Sequence, residues 1–202
     1  MEENKIIVLD FGAQYGHLIA RRVRQLHVFS EIVEPDVPTE KLREAKGIIL
    51  SGGPSSVYDK DAPAFNPEIF SLGIPVLGLC YGQQLMAQQL GGKVEKGNVR
   101  EYGLAELEIK EQSGLFERLS GTETVWMSHG DKVSELPEGF EVIGATSNCE
   151  NAAIANFSSK MFGLQFHPEV THTPNGLKIL ENFVLNVCEC KQNWTAKNYL
   201  EQ

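Results

Sequence analysis

Long apolar runs are missing from these 202 residues. None approaches the ~20 residues that a membrane-spanning helix needs. Residues 1–5 are polar, and residues 6–9 are too short an apolar stretch for a secretory signal, so a reducing cytoplasm is the expected compartment. Cysteine is scarce. Cys80, Cys149, Cys188 and Cys190 show no spacing suited to a disulfide framework. No paired CxxC suggests a zinc site, and Cys188 and Cys190 are too close for an easy internal bridge. Positive charge is also short: Lys and Arg number 18 against 27 Asp and Glu, a formal charge of −9. That balance argues against nucleic acid or an anionic membrane as partner, while leaving room for a nucleotide in a local pocket. Internal repeats and low-complexity linkers are absent.

What is present suits one globular domain, or one domain plus a tail, with enough chain to bury a full core. The chain is organised around residues 74–86. Residues 75–79 form a short apolar run typical of a strand buried on both faces. Residues 81–90, rich in Gln, Leu, Met and Ala, have helical spacing. Between them, Gly78-Leu79-Cys80-Tyr81-Gly82 has the Gly-x-nucleophile-x-Gly pattern of a sharp strand-to-helix turn, with sulfur in place of a hydroxyl. Two glycines permit close backbone approach, and the unpaired N–H groups of a helix N-terminus favour a thiolate. A plain buried cysteine is the competing reading of this pentapeptide.

The first half alternates strand and helix. Strands are expected at residues 5–10, 29–33 and 47–51, and helices at 17–27, 39–45 (capped) and 67–72. In the first helix Leu18, Ile19, Val23 and Leu26 make the inner stripe, with Arg21, Arg22 and Arg24 facing mainly outward. This pattern means a mostly parallel sheet covered by helices on both faces. Ligands then sit beyond the carboxyl ends of the strands, where Asp10, Gly52, Gly53 and Cys80 fall. The second half adds strands at residues 103–110, 124–127, 141–145, 152–157 and 161–166, read as antiparallel additions to the edge. A last helix over 174–187 is expected to bury Leu177, Leu180, Phe183, Val184 and Val187. Residues 1–190 form the expected domain. Residues 191–202 read as a tail leading towards something further.

A nucleophilic cysteine needs a base, an orienter for that base and donors for the oxyanion. Among five histidines, His17 and His27 read as surface or capping residues and His172 as solvated. His129 sits in an expected loop beside Gly130. His167 ends an apolar strand in Gln165-Phe166-His167-Pro168-Glu169. Pro168 biases His167 towards extended backbone, so His167 and Glu169 project to one side as base and orienter. A His-Pro-Glu turn exposed to water is the alternative. The backbone N–H of Tyr81 and that of Gly53 are the candidate oxyanion donors, since Pro54 has none. From residues alone the reading is a thiol hydrolase acting through an acyl-enzyme, with its substrate unspecified.

A Cys elbow followed far downstream by His-x-Glu resembles the class I glutamine amidotransferases. The resemblance covers essentially the whole chain. Residues 8–15, 18–24, 50–58, 127–131 and 165–170 are similar to the glutaminase part of the GMP synthase branch of that family, and residues 193–199 to its junction with an ATP-pyrophosphatase part. The resemblance implies an α/β fold of flavodoxin-like architecture and glutamine hydrolysis by Cys80, His167 and Glu169, with Gly53 and Tyr81 as the oxyanion hole. It further implies that Gln84 contacts glutamine. The backbone around Ser128, Gly130 and Asp131 would bind its α-amino and α-carboxylate groups. Ammonia would serve a synthetase domain or subunit, which holds the ATP and Mg²⁺ sites and turns xanthosine 5′-monophosphate (XMP) into GMP, so the resemblance implies that no residue of this chain ligates a metal. The interface is expected at exposed loops near residues 100–103 and 131–132. Another γ-glutamyl cysteine hydrolase, or a regulatory domain with little activity alone, remains the rival reading.

Overall fold

The computed structural model describes residues 4–13, 16–119 and 121–195. In chain order the elements are β1 (Lys5–Leu9), α1 (Gly16–Gln25), β2 (Phe29–Val33), α2 (Thr39–Leu42), β3 (Gly47–Leu50), β4 (Val76–Leu79), α3 (Tyr81–Gln89), β5 (Lys93–Ile109), β6 (Thr122–Glu135), β7 (Glu141–Ala145), β8 (Ala153–Asn156), β9 (Met161–Leu164) and α4 (Gly176–Glu181). A 3₁₀ turn, Pro67–Ser71, precedes β4, and a wider π-wound turn, Asn182–Val187, continues α4.

Alternation within β1 sorts the layers. Successive side chains of a strand point to opposite faces. Ile6 and Val8 join one buried cluster with Ile19 and Val23 of α1 and Ile179 and Leu180 of α4. Ile7 and Leu9 join the other, with Leu42 of α2 and Leu85 and Met86 of α3. Strands buried on both faces need apolar residues; β3 and β4 have them throughout, and β1 has them after Lys5, whose buried ammonium pairs with Glu31 and Glu44.

Among the described residues the nine strands form one sheet in the order β2-β1-β3-β4-β9-β8-β7-β5-β6. The first five are parallel neighbours and the remainder antiparallel. The order 2-1-3-4 with β9 beyond it is the flavodoxin-like pattern. β9 therefore differs from its sequence reading: it is a parallel partner of β4 inside the sheet, paired from Val76↔Met161 to Leu79↔Leu164. The antiparallel half is a hairpin-rich extension beside it.

Other expectations change in detail. Ser128, His129, Gly130 and Asp131 lie within β6 rather than in a loop, because the ladder to β5 continues through Glu101↔His129 and Tyr102↔Ser128. Residues 100–103 and 131–132, expected as loops, are for the same reason strand. Thr39 caps nothing with its side chain; Pro38 occupies the cap, and the Thr39 hydroxyl instead donates to Glu68 at 3.0 Å. Leu177 is exposed and Val187 half-buried: the inward face runs through Gly176, Ile179, Leu180, Phe183 and Val184, and Leu177 lies about a quarter turn off it. Leu18 is half-buried, with Ala20 taking the inner position. Arg24 turns back to donate to the Ser30 carbonyl at 2.7 Å, and its guanidinium lies 5.9 Å from the Trp194 ring. The Trp194 backbone N–H donates to the His27 carbonyl and the Gln192 amide to that of Leu26, so residues 192–194 lie beside the turn that follows α1. Gln14, Tyr15 and Tyr199, which belong to the motif stretches above, fall outside the described residues.

Candidate active site

Close approach explains both glycines of the elbow. A Cβ on Gly78 would lie 2.5 Å from the Gly82 carbonyl oxygen, and one on Gly82 would lie 2.5 Å from that of Leu50. With those contacts open, β4 turns into α3 at Cys80, whose φ of 50° and ψ of −104° lie outside the regions favoured by L-residues. Such a conformation persists only where its surroundings hold it. The Cys80 N–H donates to the Leu164 carbonyl at 2.7 Å, and the Cys80 carbonyl accepts from the Gln84 N–H at 3.2 Å. Tyr81 begins the helix, so its N–H is one of the four left without an intrahelical acceptor. Its ring packs 5.2 Å from that of Phe11, behind Gly53.

β9 ends one strand away, and its continuation brings in His167 and Glu169. The His167 N–H donates to the Trp126 carbonyl at 3.0 Å. Thr173 ties the turn shut: its hydroxyl donates to the His167 carbonyl at 2.7 Å and accepts the Trp126 N–H at 3.0 Å. His167 Nδ1 stands 2.8 Å from Glu169 Oε1, leaving Nε2 for the sulfur. Burial alone would hold the imidazolium down. Hydrogen bonds to the Cys80 sulfur and the Glu169 carboxylate, with their charges, override that and lift His167 to about 10.

β6 and α3 supply the remaining wall. The Ser128 carbonyl lies 3.6 Å from Cys80 Sγ. Gln84 Nε2 donates both to the Asp131 carbonyl at 2.8 Å and to Gln165 Oε1 at 3.1 Å. The Asp131 carboxylate accepts from the hydroxyls of Ser56 and Tyr58. His129 is buried and satisfied by the Asp131 carbonyl at 2.9 Å and by Glu101 Oε2 at 3.1 Å. Gly53 backs onto Tyr81, while Gly52 faces Cys80 and His167: its Cβ would lie 3.8 Å from Cys80 Cβ and 3.2 Å from His167 Cε1. Asp10 accepts from Gly12 and Ala13 and shapes the loop before α1.

Several residues of this site escaped the sequence reading. Gln165 stands two before His167 on extended chain, a spacing that could have flagged it. Arg22, Thr173, Ser56, Tyr58 and Glu101 carried no such signal.

Residues 7–187 match the family model for glutamine amidotransferase class-I. The chain belongs to the class I glutamine amidotransferases. A GMP synthase [glutamine-hydrolyzing] of Brachyspira hyodysenteriae is 49% identical over 200 residues, which are 98% of this chain and 39% of that protein. The enzyme of the same name from Gloeothece citriformis is 51% identical over 199 residues, 98% of this chain and 37% of that one. This amidotransferase chain thus spans under two fifths of the length of these relatives. A solved chain from Thermoplasma acidophilum, assigned as one of the subunits of a GMP synthase, superposes with a TM-score of 0.82 at 27% identity, covering 99% of this chain and 98% of that one.

The other cysteines of this amidotransferase are buried in the core, where desolvation pushes Cys149 up to about 12, Cys190 to about 11 and Cys188 well above its ordinary value. Among the described residues no cluster of three or more His, Cys, Asp or Glu could hold a metal ion, and no helix is long and apolar enough to cross a membrane.

Proposed function

We propose that this chain hydrolyses glutamine through a Cys80 thioester and passes the ammonia to a cytoplasmic synthetase part that makes GMP from XMP. The observation that carries the reading is the meeting of Cys80, His167 and Glu169 beyond the carboxyl ends of β4 and β9. The GMP assignment draws on the relatives' names and on the fraction of their length this chain matches.

In this scheme the Cys80 sulfur attacks the side-chain amide carbon of glutamine. The oxyanion is held by the backbone N–H groups of Gly53 and Tyr81. As the C–N bond breaks, His167 gives its proton to the departing ammonia. Neutral His167 then takes a proton from water, which attacks the thioester and releases glutamate and the thiol. Glu169 keeps Nδ1 protonated and stabilises the imidazolium. Gln84, with both side-chain N–H groups committed, offers Oε1 to the substrate. The strand segment of Ser128, Gly130 and Asp131 supplies backbone groups for its α-amino and α-carboxylate ends. ATP and Mg²⁺ act in the synthetase part, which approaches on the β5 and β6 side near the exposed Tyr102 and Leu104.

The test is mass spectrometry after incubation with a chloroketone analogue of glutamine. Labelling confined to Cys80 and blocked by glutamine supports the reading. Labelling elsewhere, or protection by γ-glutamyl peptides but not by glutamine, removes it. Glutamine turnover is expected to rise when the synthetase part, ATP and XMP are added; no rise counts against a coupled ammonia donor.

A further inference from the structure

The two amides of Gln84 and Gln165 have a fixed polarity. A backbone carbonyl only accepts hydrogen bonds. The Asp131 carbonyl, 2.8 Å from the Gln84 amide, therefore faces its nitrogen. That same nitrogen lies 3.1 Å from the side chain of Gln165, which must present its oxygen there. The remaining end of the Gln165 amide is then Nε2, and it lies 3.6 Å from Cys80 Sγ. Gln165 is fully buried, and its own N–H is held by the Ala152 carbonyl at 2.8 Å. Burial shields the amide from bulk solvent, so its donor stays aimed at the sulfur.

We infer that Gln165 donates a standing hydrogen bond to the Cys80 sulfur before substrate arrives, beside the His167 imidazole and the Ser128 carbonyl, with Gln84 and the Asp131 carbonyl setting the direction of its donor. The inference rests on the reading of Cys80 as nucleophile. It adds a fixed hydrogen bond to the attacking atom, and it couples that bond to β6: the Asp131 carbonyl that orients Gln84 belongs to the segment proposed to bind glutamine. A tenfold effect corresponds to about 1.4 kcal/mol, the order of one hydrogen bond to a charged acceptor.

The probe is iodoacetamide, which needs no glutamine site, with Cys80 alkylation followed by peptide mass spectrometry across a pH series. In Gln165→Met, of similar length but without a donor, the alkylation rate near neutral pH falls about tenfold. The difference narrows as the pH is raised, because a donor to the sulfur favours its anionic form. In Gln165→Glu, which sets a carboxylate against the sulfur, the neutral-pH rate falls further. A pH profile that keeps its wild-type shape, or that drops by one constant factor at every pH, overturns the inference and leaves Gln165 a packing residue. Should Gln165→Met fail to fold, Gln84→Met serves instead: it frees the Gln165 amide to flip and gives a smaller change in the same direction, while an unchanged profile again overturns the idea. If iodoacetamide does not react at Cys80 in the wild-type chain, the nucleophile assignment itself fails, so the two failures are told apart.

Discussion

Arg22 donates from Nε to the carbonyl oxygen of Glu169 at 2.9 Å, so the first helix holds the turn whose carboxylate meets His167. The guanidinium also reaches Gln25 at 3.2 Å, which fixes its plane. Arg22→Ala is expected to cost about 1.5 kcal/mol, as for one hydrogen bond with a charged partner, and to lower the melting temperature by roughly 3–6 °C. The kcat for glutamine should fall severalfold with little change in KM, because the loss acts on the orientation of His167. Arg22→Lys should not restore it, since an ammonium lacks the planar geometry. A melting scan with steady-state kinetics checks this; unchanged kcat would remove the link.

The backbone at Cys80 makes a separable prediction. A residue with positive φ and a side chain stores about 1–3 kcal/mol of strain, and glycine does not. Cys80→Ala and Cys80→Gly both remove the sulfur and should both abolish hydrolysis. They should differ in stability, with Cys80→Gly about 1 kcal/mol above Cys80→Ala in urea titrations. Equal midpoints would mean the elbow is relaxed and the strain is held elsewhere.

His167 links the site to pH. Folded, it keeps its proton to about 10, against about 6.5 for an unfolded histidine. Folding therefore favours the protonated ring between those values. The stabilisation is complete below about 6.5 and is lost as the pH rises through about 10. Glu169→Gln removes one of the charges that lift the ring, so the His167 NMR titration should move downward. The stability gap between variant and wild type should be widest near pH ~6.5 and close towards pH ~10. A gap that grows with pH would contradict the assigned pairing.

Strands such as β3 and β4 were legible because a strand buried on both faces is apolar along its length, and β1 was legible from Ile6 onward for the same reason. The elbow was legible because only glycine tolerates the approaches at positions 78 and 82. The pairing of His167 with Glu169 follows from a spacing of two. What the sequence could not show was set by partners distant along the chain. Ser128 to Asp131 breaks the apolar alternation, and its strand character comes from the ladder to β5, which slips register between Lys96 and Glu101. Nothing local tells Arg22 to seek a carbonyl 147 residues away. Leu177 fits a stripe with Leu180 and Val184, but the face that packing buries runs through Gly176, Ile179, Leu180 and Phe183, and nothing local selects between the two.

Gly176 supplies the last and most selective prediction. A Cβ there would fall on the carbonyl oxygen of Pro168 and lie 3.0 Å from its Cα. Pro168 sits between His167 and Glu169, and backbone cannot swing aside as a flexible side chain can. Gly176→Ala must therefore push α4 away or displace the turn that aligns the imidazole. A misplacement of about 1 Å at reacting groups can cost ~100-fold in rate, while such overpacking costs about 1–3 kcal/mol of stability. Gly73 is the control. Its φ of 71° strains any replacement, yet no atom stands within 4 Å of its Cβ position. Gly73→Ala should lose about 1 kcal/mol and keep its glutaminase rate. Kinetics and melting of both variants decide the matter: if Gly176→Ala hydrolyses glutamine as fast as Gly73→Ala, the close packing of α4 against Pro168 does not govern the geometry of His167 and Glu169.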